Sequence, residues 1–486
     1  MTRKDRDDPG IEAVYRAVRE GVPNVLQPAS PVEAVAVVLW RERGPDIEVY
    51  LVRRNDALRF LGGYWAFPGG RIEDCDRESR GKGARSELTT LINGGVREVR
   101  EELGVELPVR AGSYVRGGCW TTPDFAPIRF AASYLLHHYA GADPEPAVSN
   151  GELVDGAWLT AREIRDGWEG GRMLIPPPVA HVVGALAEGG AGPAELEALS
   201  ARLEIEALGS ESEPRVWYPV AGVGICPLRT LTLPPATHTN CYLFGTDEVV
   251  IVDPGTPHGT ELEELDRVLA SLKRAGRRAR EVLLTHHHGD HVAGARYLAR
   301  EHGLPVAAHR ECAARLDGTV PVDRYIEDDE LIVLGSASER RVRAISTPGH
   351  APGHLSFLDE ASGFVAAGDM VAGVGTILIE PRDGNMSEYL ASLRKLRALP
   401  LRAILPAHGP IITNPAAKLD EYIQHRLWRE ERVYQALPTV GGRRPEELVS
   451  EVYSDVPVAI HPVALLSLRA HLVKLEDDGR ARRVGE

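Results

Sequence analysis

The stretch Thr285-His286-His287-His288-Gly289-Asp290-His291 decides how this chain is read. Val282, Leu283 and Leu284 precede it as a short apolar run with the signature of a buried strand. Val292, Ala293, Ala295, Tyr297 and Leu298 follow it in a pattern that suits a helix. The cluster therefore sits where a strand hands over to a helix, the usual place for a site in an α/β fold. His286 and His288 alternate, so both can face one point from an extended loop. Asp290 and His291 are adjacent, which favours a second point beside the first. His287 is expected to point away from its neighbours. A histidine run can be a surface tract, but this one is internal, strand-flanked and carries an aspartate.

Further candidates lie downstream, and each closes a strand-like run at a Gly or Pro turn. His350 ends Thr347-Pro348-Gly349-His350. Asp369 follows Phe364-Val365-Ala366-Ala367-Gly368, and His408 lies in Pro406-Ala407-His408-Gly409 after Ala403, Ile404 and Leu405. The pattern HxHxDH, then H, D and H, resembles the metallo-β-lactamase superfamily from roughly Arg215 to the end of the chain. That resemblance implies that His286, His288 and His350 hold one metal. It assigns Asp290, His291 and His408 to a second metal, with Asp369 bridging and Asp290 catalytic. Imidazole with carboxylate suits two Zn, or Mn or Fe(II). Two cations about 4 Å apart can activate water at neutral pH and stabilise a leaving oxygen or sulfur.

A chain of 486 residues exceeds one core, and roughly two to four domains are expected. The net charge of −14 argues against a general nucleic-acid binder and favours solubility. Cys75, Cys119, Cys226, Cys241 and Cys312 form no CxxC pair, which points to a reducing compartment without a disulfide framework. Residues Met1 to Asp8 are charged with no apolar core behind them, and no apolar run of membrane-spanning length is seen. A cytoplasmic protein without a membrane partner is expected; the oligomeric state is left open.

In the first half, a short helix around Ile11 to Glu20 and a link occupy residues 1–30. Ala34 to Trp40 and Ile47 to Val52 read as two strands of a hairpin, turned by Arg43-Gly44-Pro45-Asp46. Further on, Glu98, Glu101 and Glu102 share one face of a helix whose other face carries Val96, Val99 and Leu103. Either the acidic face is solvated, or a cation sits among the carboxylates, and oxygen-only ligands suit Mg or Mn.

Arg97-Glu98-Val99-Arg100-Glu101-Glu102-Leu103-Gly104-Val105, with Phe67-Pro68-Gly69-Gly70 upstream, resembles the second half of the Nudix box. The match implies that Glu98, Glu101 and Glu102 hold the metal, that Glu101 and Glu102 are catalytic, and that Arg97 orients the carboxylates. The place of the box's first glutamate holds Asp76, and Arg77 to Gly95, polar and Gly-containing, reads as an inserted loop. Gly94 and Gly95 are expected to weaken the start of this helix. Leu51 to Arg59 resembles the segment before the same motif in CoA diphosphatases. A nucleoside diphosphate or CoA-like substrate is implied.

Strands are expected at 128–136 and 152–159, helices at Glu163 to Trp168, His181 to Leu186 and 193–207, and a rigid loop at Ile175 to Pro178. Gly209 to Pro214 is linker-like. Beyond it, Leu231 to Pro235, Thr239 to Phe244 and Val249 to Val252 read as strands, and Glu261 to Arg274 as a helix. Asp253 is expected to be a turn residue supporting the ligands. His354 is expected to support them or bond substrate, and Asn240 to line the pocket. The alternating elements imply two sheets packed face to face with helices outside.

From Pro415 a helix carries an apolar stripe of Leu419, Tyr422, Ile423, Leu427 and Val433, with His425, Arg426, Arg429 and Glu430 as a charged stretch. With Pro406 to Pro410 before it, this passage resembles the beta-lactamase-like endoribonuclease branch. The resemblance gives His425 and Arg429 substrate-side or ligand-supporting roles. Pro445 to Val452, His461 to Leu475 and a Gly479 turn read as the small winged helix of that branch. Classical glyoxalase II instead has a longer helical tail, with no counterpart here.

The expected architecture is thus a multidomain α/β and α+β chain. A Nudix α/β/α sandwich spans 31–205, a metallo-β-lactamase αβ/βα sandwich 206–413, and a helix plus winged helix 414–486. The expected function is metal-dependent hydrolysis of a phosphodiester such as single-stranded RNA, with Nudix diphosphate hydrolysis beside it. The alternatives are glyoxalase II-like hydrolysis of an acyl thioester, or an inactive, ligand-sensing Nudix module beside a catalytic second half.

Overall fold

The computed structural model describes residues 29–58, 60–77, 87–123, 126, 128–139, 144–188, 203, 214–335 and 340–484. The helix expected at Ile11 to Glu20 and, Leu203 apart, that over 193–207 lie outside the described residues, as do 78–86 of the insertion. The chain forms two compact units, Gln27–Gly224 and Ile225–Glu486.

In the first unit, β1 (Val32–Arg43) and β2 (Asp46–Arg54) form the expected hairpin. With β3 (Trp65–Ala66), β4 (Gly69–Arg71), β5 (Val115–Thr121), β6 (Phe130–His138) and β7 (Leu153–Thr160) they make one sheet. Its order is β3-β2-β1-β6-β5, with β4 added to β1 and β7 to β2. Alternation sends successive residues of β1 to opposite faces. Val35, Val37 and Leu39 meet Leu91, Ile92, Val96, Val99 and Leu103 of a helix. Val38 and Trp40 meet Ile164, Val179, Val182 and Leu186 on the other side. The helices after β4 are α1 (Asp74–Arg77), α2 (Glu87–Leu103), α3 (Ala161–Glu169) and α4 (Pro177–Glu188). One helix below the sheet and two above make an α/β/α sandwich.

Two expectations change here. The expected inserted loop is helical from Glu87 on, so Gly94 and Gly95 lie in the middle of α2, not at a weak start. A Cβ on Gly95 would come within 2.7 Å of Val37 Cγ2, and one on Gly94 equally close to Ile72 Cδ1; the glycines let the helix approach the sheet. The loop expected at Ile175 to Pro178 gives way to α4, which opens on Pro177 and Pro178. Proline suits a first helical turn, where the backbone N–H has no partner anyway. β8 (Trp217–Val220) follows. Trp168 Nε1 donates to Tyr218 O at 2.8 Å and Ile175 N to Pro219 O at 3.1 Å. These bonds tie β8 to the first unit, so the units divide downstream of the linker-like Gly209 to Pro214.

The second unit has two sheets. In the first, β9 (Val223–Arg229), β10 (His238–Phe244), β11 (Glu248–Val252), β12 (Arg278–Leu283), β13 (Val306–Ala308) and β14 (Arg324–Tyr325) follow in spatial order. β11 to β14 run parallel, with α5 (Gly259–Arg274), α6 (Gly289–Val292), α7 (Ala295–His302) and α8 (Arg310–Leu316) in the connections. The other sheet is β15 (Leu331–Leu334), β16 (Arg340–Ser346), β17 (Leu355–Asp359), β18 (Phe364–Ala366) and β19 (Ala403–Leu405). α9 (Met386–Arg397) and α10 (Pro415–Ala436) pack Tyr389, Leu393, Leu396 and Leu419 with Val365 and Ile404 of that sheet. Leu231 to Pro235 is not a strand, because two successive prolines supply no N–H to a ladder.

α11 (Pro445–Val452) and α12 (His461–Asp477) close on the far end of α10, with Leu448, Val452, Leu468 and Leu475 around Val433. The apolar stripe expected on α10 is incomplete. Leu427 is 40% exposed, whereas Arg426, Arg429 and Glu430 are buried. Val458–Asp477 is 20 residues long and apolar enough by composition to cross a bilayer, against the expectation of no such run. Its Leu466, Leu468 and Leu475 are fully buried, and its Arg469 and Lys474 pair with Glu446 and Glu430, as in a core helix.

Candidate metal centre

β12 ends at Leu283, and a short non-helical segment with His288 in an extended conformation leads into α6 at Gly289. That segment brings His286 and His288 toward His350. His288 Nδ1 lies 3.0 Å from His286 Nε2 and 3.1 Å from His350 Nε2. Beside them, His291 Nε2 lies 3.5 Å from Asp369 Oδ1 and 3.9 Å from Asp290 Oδ1. His408 Nε2 is 3.6 Å from Asp290 and 3.5 Å from Asp369 Oδ1. The other oxygen of Asp369 is 3.5 Å from His350 Nε2, so this carboxylate spans both groups.

Each ring is fixed by an oxygen at its other nitrogen. His286 Nδ1 bonds Thr285 Oγ1 at 3.0 Å, and His288 Nε2 bonds Asp383 at 3.0 Å. His291 Nδ1 bonds Asp253 at 2.8 Å, His350 Nδ1 bonds Leu378 O at 2.9 Å, and His408 Nδ1 bonds His238 O at 3.0 Å. A ring that donates on one side presents a lone pair on the other, the arrangement that metal-ligating histidines adopt. His291 Nε2 and Asp369 Oδ1 are buried with no hydrogen-bond partner, a costly state that a cation would relieve. His286, His288 and His350 form one set close enough to share an ion; Asp290, His291 and His408 form another. The donor set fits divalent cations of the imidazole-favouring kind.

The electrostatics agree. Burial, reinforced by the surrounding rings, holds His286 well below its usual pKa, and burial takes His350 down to about 4. Both stay neutral and keep a lone pair. Burial alone would raise Asp369, but His408 and His291 outweigh it and hold the carboxylate well below its usual range. Burial would lower His291, yet Asp253, Asp290 and Asp369 raise it well above its usual value. Negative charge therefore concentrates where the second cation would lie.

The expected supporting residues have distinct places. Asp253 accepts from Thr285 N at 2.8 Å and Thr285 Oγ1 at 2.6 Å as well as from His291. Asn240 Nδ2 donates to Pro406 O and Gly409 O, both at 2.9 Å, bracing the His408 loop from beneath instead of lining a pocket. His354 Nε2 accepts from Asp369 N at 3.2 Å, and its Nδ1 bonds Thr347 Oγ1 at 2.9 Å; it holds the Asp369 turn. Arg429 is not brought to the cluster. Its donors go to Val452 O at 2.6 Å and to the Asp455 carboxylate at 2.7 and 2.8 Å, because it ties α10 to the end of α11. His425 lies against Trp428 on the same helix. Sequence reading missed Asp383 altogether and set His287 aside, although His287 Nε2 reaches Asp383 at 2.9 Å. Asp383 follows no strand and stands in no motif; only a Gly384 turn marks it.

In the first unit, α2 presents Arg97, Glu98, Glu101 and Glu102 beside β4. Arg97 grips Asp76 through Nε at 3.1 Å and Nη2 at 2.9 Å. It also donates to Glu98 at 2.8 Å, Glu101 at 3.4 Å and Arg71 O at 2.8 Å. Asp76, standing where the motif has its first glutamate, thus anchors the arginine. Glu102 accepts from Gly69 N at 3.0 Å, and burial raises its carboxyl to about 8. Gly69 (φ +154°) admits no side chain, since a Cβ would lie 2.2 Å from Val35 O. Carboxylates gathered on one helix face, with Glu102 buried and Glu101 half exposed, fit an oxygen-binding cation such as Mg²⁺.

The family model of the metallo-beta-lactamase superfamily matches residues 234–408. A beta-lactamase-like protein 2 homolog from Caenorhabditis elegans is 32% identical over 249 residues, 50% of this chain and 79% of that protein. The chain belongs to the metallo-β-lactamase superfamily. The beta-lactamase associated winged helix domain matches the end of this metallo-β-lactamase chain, residues 445–486, and the NUDIX domain matches 30–176. An atrochrysone carboxyl ACP thioesterase from Aspergillus fumigatus is 30% identical over 240 residues, 46% of this chain and 70% of that protein. Among solved structures, a metallo-beta-lactamase family protein from Thermus thermophilus is 24% identical, covering 55% of this chain and 97% of its own, with a TM-score of 0.45. The protein is a metallo-β-lactamase-fold hydrolase with a Nudix domain and His/Asp clusters of metal-binding character.

Proposed function

We propose that the second unit hydrolyses an acyl thioester at the His/Asp centre, and that the Nudix unit cleaves a diphosphate linked to a nucleoside or CoA-like group. The observation that carries the first part is the pair of buried donor sets sharing Asp369. Divalent cations held there would lower the pKa of water to about 7 and polarise a carbonyl or phosphoryl oxygen. In this reading Asp290, near His291 and His408, would take the proton as water adds to the acyl carbon. The C–S bond then breaks and the thiolate leaves. Asp253, His354 and Asn240 hold the donors still.

Charge favours the thioester over the phosphodiester. A cavity of about 450 Å³ has Glu311, Asp383 and Glu388 in its wall against the single cation Arg382 among the described residues. Residues 445–486 carry five Lys or Arg and eight Asp or Glu. A polyphosphate strand, which binds through cationic contacts, finds little welcome on such a surface. The named thioesterase among the relatives supports the same reading. The phosphodiester reading keeps one observation of its own, the appended winged helix.

The deciding assay offers the full chain, loaded with Zn or Mn, a panel of acyl thioesters in one arm and fluorescent single-stranded RNA in the other. Thioester turnover lost in His288→Ala, with RNA intact, supports the proposal; RNA cleavage lost in the same variant replaces it with the ribonuclease reading. Activity retained in both His288→Ala and Asp290→Ala overturns the metal centre. For the Nudix unit, oxygen-only donors call for Mg or Mn. Glu102→Gln and Glu101→Gln abolish diphosphate cleavage if the unit is catalytic, and change nothing if it only senses a ligand.

A further inference from the structure

Histidines 287 and 288 donate from Nε2 to the same oxygen of Asp383, at 2.9 and 3.0 Å. The other oxygen receives Arg315 Nη1 at 2.6 Å. The carboxylate is 13% exposed and accepts from three donors, two on one oxygen and one on the other. His288 is the one ring of the centre that faces the other donors with Nδ1, not Nε2. Its orientation is therefore opposite to its neighbours', and the neutral ring can keep Nδ1 bare only while Nε2 carries the hydrogen. Asp383 supplies the acceptor that holds it so.

The turn bearing Asp383 is itself anchored to the centre. Asn385 N donates to Gly349 O at 2.8 Å, next to His350, and Gly384 N donates to Glu380 O at 2.6 Å. A Cβ on Gly384 would lie 2.8 Å from Gly349 O, so the two turns touch backbone to backbone. Asp383 also forms part of the cavity wall with His309, Glu311, Arg382, Asn385 and Glu388.

We propose that Asp383, braced by Arg315, is a positioning residue that selects the His288 tautomer and sets its ring toward His286 and His350. His287, Asp383 and His288 lie close enough to hold an ion themselves. The Arg315 guanidinium already neutralises that carboxylate, so a hydrogen-bonded brace accounts for the group better than a third cation. The inference rests on the metal-centre reading above.

The test uses the full chain and the metal alone. Zn²⁺ affinity is measured by competition with a chelator, and the visible spectrum is recorded after loading Co²⁺. Wild type takes two equivalents in the second unit. Asp383→Ala weakens one equivalent by roughly 10- to 100-fold and alters the Co²⁺ spectrum, while the metal-free chain also loses stability because the buried His287 and His288 donors lose their acceptor. Asp383→Asn, which keeps an acceptor of the same shape but no charge, falls between, and stands in if the alanine variant fails to fold. Both equivalents retained at wild-type affinity, with the wild-type spectrum, overturn the proposal. So does a third equivalent in wild type that Asp383→Ala abolishes, since Asp383 would then be a ligand. A wild-type chain that takes no Zn²⁺ in this unit overturns the metal centre itself, a failure distinguishable from loss of the brace alone.

Discussion

Asp253 stands at the end of β11 with φ +51°, a conformation uncommon for residues other than glycine. Its side chain, 3% exposed, gathers Thr285 N, Thr285 Oγ1 and His291 Nδ1. One carboxylate thereby fixes the strand end that launches the histidine stretch and the tautomer of a histidine on α6. Asp253→Ala leaves these buried donors without an acceptor, and stability falls by about 3 kcal/mol. Zn²⁺ affinity drops at the Asp290, His291 and His408 set, as for other losses of a ligand's outer partner. Chemical denaturation of the chelated protein reads the first effect and metal competition the second. Unchanged metal affinity with lost stability would reduce Asp253 to a turn residue.

At the scale of elements, α2 shows what composition hides. Two central glycines suggest a weak helix, and their intrinsic cost is about 1 kcal/mol each relative to alanine. Their absent side chains instead admit Val37 and Ile72. Gly95→Ala therefore gains helix propensity but overpacks against a fully buried, β-branched Val37, and the net change is destabilising by about 1 kcal/mol. In a urea series, Gly95→Ala with Val37→Ala together should cost less than the sum of the single changes; a Gly95→Ala variant more stable than wild type would sink this account.

The seam of α10 and α12 is a second such case. His471 is fully buried, and neither ring nitrogen has a hydrogen-bond partner. Burial, then Arg426, Arg429, Lys474 and His425, lower its pKa to about 3. The folded ring is neutral while the unfolded one takes a proton near pH 6.5. Its contribution is therefore fully present above about pH 6.5 and is lost as pH falls toward 3, by up to about 1.4 kcal/mol per pH unit. His471→Leu should flatten the acid side of the stability profile and raise stability at neutral pH, measured by thermal midpoints from pH 4 to 8; an unaltered acid limb would refute it. The hairpin of β1 and β2 was legible because alternation and a turn sufficed. The charges of Arg426, Arg429 and Glu430 look like a solvated face in sequence, since nothing local shows that α11 and α12 return to cover them.

The whole molecule carries two sites whose donors differ in kind. The metal candidates of the second unit were legible because each ends a strand at a Gly or Pro turn, and strand ends converge in this fold. Asp383 was not, since an isolated aspartate in a turn gains meaning only when the His350 loop is folded against it. The first unit offers Glu98, Glu101 and Glu102, oxygen donors alone; the second offers five imidazoles with Asp290 and Asp369. Hard, oxygen-seeking Mg²⁺ should therefore find the first and imidazole-favouring Zn²⁺ the second. A bound ion stabilises the folded form by RT ln(1 + [L]/Kd), about 2.7 kcal/mol at a hundredfold excess over Kd. Hydrogen exchange on the metal-free chain locates that stabilisation. Zn²⁺ should slow exchange in peptides covering 284–294, 347–354 and 403–411, with little change at 95–105. Mg²⁺ should slow 67–77 and 95–105 and leave the histidine peptides as they were. Protection by Zn²⁺ confined to the Nudix helix, or by Mg²⁺ at the histidines, would show that donor chemistry does not assign these ions and would undo the division of labour between the two units.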